Sequence, residues 1–74
     1  MSFERIKQDA SSIVDLSFTL ENLVAEKSKL ESLKESKDKI LAVDEKISIV
    51  KSHIKTFLSS INTGLKQQEA ELNG

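Results

Sequence analysis

The sequence predicts an all-α fold, an antiparallel two-helix hairpin of coiled-coil character, on three observations. Strand signals are missing: there is no Pro, Trp or Tyr, and no sustained alternation of apolar and polar residues. Ile40, Val43, Ile47, Val50, Ile54, Phe57 and Ile61 follow a strict three-four spacing, which holds one stripe toward a partner helix as in a coiled-coil seam. The charges of the two halves mirror each other about the middle of the chain. A hairpin has one seam, so the fold is expected to be completed by dimerisation into a four-helix bundle or by docking on a partner. The alternative is a single long helix forming an antiparallel dimer.

The first helix is expected over about residues 3 to 34, as part of a single helical hairpin spanning residues 1 to 74. Its stripe is Ile6, Ile13, Leu16, Leu20, Leu23 and Leu30, with Lys27 and Lys34 where the spacing wants apolar side chains. Lys27 there either fixes the register, as a polar seam residue does in coiled coils, or snorkels to water along its stem.

A turn is expected over about residues 35 to 38. Lys34 to Lys39 carry no apolar side chain, and the two stripes are out of phase, since continuing 13, 20, 27, 34 gives 41 whereas the second stripe runs through 40. Ser32 and Glu35 have capping-box spacing, and Ser36 or Asp38 is placed to cap the second helix. That helix is expected over about residues 38 to 70. Gly64 sits on its stripe, costs about 1 kcal/mol relative to Ala, and is expected to fray the helix or end it early.

From Gln8 to Glu26 every charged residue is acidic (Asp9, Asp15, Glu21, Glu26), and from Lys46 to Gln68 every one is basic (Lys46, Lys51, Lys55, Lys66). Folding the chain back at residues 36 and 37 sets Glu26 against Lys46, Glu21 against Lys51, Asp15 against Lys55 and Asp9 against Lys66. In that register Leu16 meets Phe57, Leu23 meets Val50 and Leu30 meets Val43, pairs whose numbers add to 73. Each exposed ion pair contributes about 0 to 1 kcal/mol, so the charges select register and do not supply stability.

At 74 residues the chain is one small domain without cysteine, short of core and unable to use a disulfide or a thiolate metal site. The first twelve residues hold no signal-peptide core and no segment approaches a membrane span, so a cytoplasmic location is expected. Eleven basic against twelve acidic residues leave no net field for nucleic acid or an anionic membrane. His53 is the single histidine, without ligands or a nucleophile at matching spacing, and reads as a solvated surface residue. Neither a Gly-x-Ser-x-Gly nor a Gly-rich phosphate loop is present. No enzymatic activity, cofactor, metal or small-molecule substrate is expected.

Val14, Phe18 and Val24 in the first half, and Leu41, Ile49, Leu58 and Leu65 in the second, fall off the stripes. Residues 26 to 46 carry twelve charges in 21 positions, whereas 10 to 20 carry only Asp15 and 54 to 65 only Lys55. Interface cores are depleted of charge, so the end far from the turn is the expected interface, with Val14, Phe18, Ile49, Leu58 and Leu65 as its contacts. The outer face with Ser48, Ser52, Thr56, Ser59 and Thr63 reads as polar surface.

The function expected is that of a protein-protein interaction module: a small helical subunit, adaptor, chaperone-like partner or inhibitor. The partner is another protein and/or a second copy, with a homodimer favoured; nucleic acid and membrane are disfavoured. The alternative function is an RNA-binding helical hairpin dimer. In outline that dimer resembles the plasmid copy-number regulators that bind paired RNA loops across a four-helix bundle, a likeness of shape without a shared motif.

Overall fold

In a computed structural model, which describes residues 3 to 73, the periodic stretches become two antiparallel helices joined by a four-residue turn. Helix α1 is Glu4–Ser32 and helix α2 is Lys37–Asn73, and among the described residues there is no strand. The body is a rod of 59 × 14 × 12 Å. Its radius of gyration is 17.1 Å, against roughly 11 Å for a compact domain of this length.

The stripes read from the sequence form the seam. Ile6, Ile13, Leu16, Leu20, Leu23 and Leu30 of α1 are half-buried, as are Ile40, Ile54, Phe57 and Ile61 of α2. Among the described residues only Val43, Ile47 and Val50 are buried, at 4, 8 and 9% exposure. All three lie in the half of α2 nearer the turn. Toward the open end the seam admits polar or small residues: Asp9, Gly64 and Gln68 occupy stripe positions and are half-buried.

The turn lies two residues earlier than the polar run implies. Leu33 caps α1, Lys34 takes a left-handed φ of 54°, and the Lys34 and Glu35 amides donate to the carbonyls of Glu31 (3.1 Å) and Leu30 (3.0 Å). These two bonds satisfy the helix's last carbonyls in the arrangement usually made with glycine at the left-handed position. Ser32 is therefore the last residue of α1 and not a cap of α2. The carbonyl of Ser36 receives the first bond of α2, from Ile40 N at 3.3 Å, and Lys39 reaches back to Glu35 at 3.2 Å. Because Lys34 carries a Cβ where none is favoured, Lys34→Gly should stabilise the hairpin by about 0.5 to 1 kcal/mol despite the lost side chain. A thermal melt that stays level or falls would show that the left-handed residue is not strained.

The register differs from the expected mirror. A Cβ built on Gly64 would lie 3.0 Å from Cγ1 of Ile6, and Lys27 Nζ lies 2.7 Å from Asp44 Oδ1. Those residue numbers add to 70 and 71, not 73, so the hairpin folds about residue 35. Among the described residues none of the four expected ion pairs (Glu26–Lys46, Glu21–Lys51, Asp15–Lys55, Asp9–Lys66) forms; those present are Glu4–Lys7, Lys27–Asp44 and Glu35–Lys39. Glu21, Glu26 and Asp15, like the lysines opposite, are exposed, where weak attraction in water does not repay the entropy of holding two long side chains. Gly64 does not end α2, which runs nine residues further. Its missing side chain instead lets Ile6 approach the α2 backbone.

Candidate protein interface

The α-helix repeats its facing every seven residues in a paired seam, so the seam divides each helix into two flanks and a back. On one flank Leu58, Leu65 and Leu72 stand seven residues apart along α2, all exposed. The matching flank of α1 carries Phe3, Ala10, Ser17 and Val24 at the same interval, with Val14 one turn from Ala10 on its outer edge. In an antiparallel pair these two flanks lie side by side. Phe3, Val14, Leu58, Leu65 and Leu72 thus make one apolar face at the open end of the rod.

Of the five residues singled out from the sequence, Val14, Leu58 and Leu65 share this face. Phe18, 62% exposed, points from the back of α1, adjoining Val14 one turn away. Ile49 does not share it: it lies on the opposite flank of α2. Leu72 and Phe3 also lie on this face and were not singled out, although the seven-residue interval from Leu58 through Leu65 to Leu72 was present to be read. Leu41, Val24 and Leu33 are exposed nearer the turn and are separated from the face by charged residues.

Toward the open end the opposite flank is polar. There Arg5, Ser59, Ser60, Thr63, Gly64 and Gln67 line a shallow recess of about 210 Å³. The Thr63 hydroxyl donates to the Ser59 carbonyl (3.0 Å) and the Thr56 hydroxyl to that of Ser52 (3.1 Å), so these hydroxyls serve their own helix. Asp9 Oδ2 is enclosed beside the seam with no hydrogen-bond partner among the described residues. His53 is exposed on this flank, and no group of three or more His, Cys, Asp or Glu residues gathers to hold a metal among the described residues. No described helix is long and apolar enough to cross a membrane.

Lys27 joins the two helices across the seam. Its ammonium donates to Asp44, with side chains 34 and 40% exposed. The hydrogen bond to Asp44, then the attraction of that carboxylate, and less so Glu31, hold the ammonium above the ordinary lysine value of 10.5 against a small opposing effect of burial. A pKa raised by folding contributes stability that is complete below the unfolded value and is lost as pH rises through the folded one. The melting temperature of the native chain relative to that of Lys27→Met should therefore be constant up to about pH 10.5 and fall above it. Parallel curves from pH 9 to 12 would mean that the bond adds nothing to folding.

The elongated hairpin exposes more surface than a compact chain of its mass. The chain exposes 5713 Å² for a mass of 8.3 kDa, whereas a compact monomer of that mass exposes roughly 4,600 Å². The excess of roughly 1,100 Å² is close to the ~800 Å² that each partner contributes to a stable protein interface. No protein-family model, no curated protein and no solved structure matches the chain.

Proposed function

We propose that this hairpin is a non-enzymatic protein-protein interaction module, a small helical subunit, adaptor, chaperone-like partner or inhibitor that binds through the apolar face at its open end. The observation carrying this reading is the exposed row Leu58, Leu65, Leu72 beside Phe3 and Val14, of which Val14, Leu58 and Leu65 lie in the two stretches poorest in charge. Burying such a row removes the apolar surface that the hairpin's own seam cannot cover, at about 1.5 to 3 kcal/mol for each leucine. The charged turn end then remains in water and keeps the free chain soluble.

The experiment compares Leu58→Ser plus Leu65→Ser with Leu20→Ala. The double variant changes residues off the seam and should keep its helicity while its complexes weaken at least tenfold, whether the partner is captured from the cells of origin or is a second chain. Leu20→Ala should do the reverse and lower helicity. A double variant that keeps every complex removes the reading, and one that unfolds puts Leu58 and Leu65 in the core.

A further inference from the structure

Resting on that reading, we infer that the occupant of the apolar face is a second copy of the same hairpin, laid face to face with both turns at the same end and α1 of each copy against α2 of the other. Area is the first argument. One hairpin exposes roughly 1,100 Å² more than a compact monomer of its mass, and two copies meeting through one flank each would bury about that much apiece, within the range of stable dimers. A four-helix bundle also asks each helix for a second contact flank at right angles to its seam, which is where Phe3, Leu58, Leu65 and Leu72 stand.

Charge decides the orientation. The flank of α1 carries Lys7 near the open end and Glu21 near mid-length, while the flank of α2 carries Glu69 near the open end and Lys51 and Lys55 near mid-length. With the turns together, each α1 lies over the other copy's α2. Glu21 then faces Lys51 and Lys55 of the second copy, and Lys7 lies toward its Glu69. Val14 comes level with Leu58 and Phe3 with Leu65, because in the observed register these lie at nearly the same height along the rod. With the turns at opposite ends, α1 would lie on α1 and α2 on α2. Full overlap would then set the acidic stretch Asp9–Glu26 on its own copy and the basic stretch Lys46–Lys66 likewise. The remaining flank, with Arg5, His53, Ser60 and Gln67, stays outward in the proposed dimer.

The chain lacks cysteine, so one introduced thiol reports on the arrangement. Spin labels are placed at the exposed cap residue by Leu33→Cys, and the native mass and label-to-label distance of the purified full chain are measured. The expected results are a mass twice 8.3 kDa and a separation within roughly 25 Å, set by helices packed 8 to 10 Å apart. Leu58→Ser plus Leu65→Ser should raise the dimer dissociation constant at least tenfold with helicity unchanged, whereas Phe18→Ser and Ile49→Ser, more exposed but off this flank, should leave it within twofold. Labels at opposite ends of the 59 Å rod overturn the orientation. A dimer weakened by Phe18→Ser or Ile49→Ser and not by the leucine variant overturns the face. A purified chain that is monomeric at 100 μM overturns the second copy as occupant; the interaction reading then stands or falls on whether the leucine variant loses a captured partner.

Discussion

Ile47→Ala is expected to melt at a far lower temperature than the native chain and to be substantially unfolded at 37 °C. Ile47 is one of three buried side chains among the described residues and sits between the other two, Val43 and Val50, on the stripe. Truncating a buried isoleucine costs about 2 to 5 kcal/mol, from lost transfer energy and from the cavity left behind. The whole stability of a chain of 74 residues is about 4 to 11 kcal/mol on the usual scale per residue. One residue thus carries a large share of the total, and Ile47→Val should cost only about 0.5 to 1.5 kcal/mol. The check is a circular dichroism melt at one fixed chain concentration, since association would shift the midpoint. An Ile47→Ala midpoint within a degree of the native one would mean that the seam near the turn is not the core.

The largest gain is expected from Lys27→Leu. Lys27 occupies a stripe position between Leu23 and Leu30, and its stem crosses the seam to reach Asp44. A leucine there would extend the apolar stripe without interruption, and Asp44, 40% exposed, would return to water. The thermal midpoint should rise by roughly 5 °C or more. A polar residue at one seam position commonly fixes alignment at some loss of stability. The same substitution should therefore loosen the register, visible as a second set of amide resonances from hairpins slipped along the seam. A lower midpoint would show that the ion pair outweighs the apolar contact it displaces.

The helices and their facing stripes were legible because burial imposes a period that composition cannot hide: every apolar residue read onto the stripes from Ile6 to Ile61 is buried or half-buried. The register was legible only to within three residues. Charges set the expected register, and charges that stay in water do not lock one; the pair that does cross the seam, Lys27–Asp44, lies outside the uniformly acidic and uniformly basic stretches from which the four pairs were read. The turn was misplaced for a related reason. A helix end is usually announced by Gly or Asn at the left-handed position, and here Lys34 takes that backbone conformation with no such signal. At the candidate interface, exposure of Val14, Phe18, Ile49, Leu58 and Leu65 followed from their leaving the stripe. Sorting them onto two flanks and a back needed the observed seam.

The uneven seam also dictates the order in which the two helices come together. Near the turn the observed register sets residues only about ten positions apart opposite one another, Leu30 level with Ile40, while Ile6 and Gly64 at the open end are separated by 58 positions (64 less 6). Bringing the distant pair together first would close a long loop for a weak contact between an isoleucine and a glycine. Closing next to the turn first fixes a short loop and buries Val43, Ile47 and Val50 early, after which each further layer adds a few residues to an existing track. The rod therefore shuts like a zipper from the Lys34 end and opens from the other, and the apolar row that ends at Leu72 belongs to its last teeth. Amide protection should fall off in that direction, and a partner seated on the open end would slow unzipping where it begins.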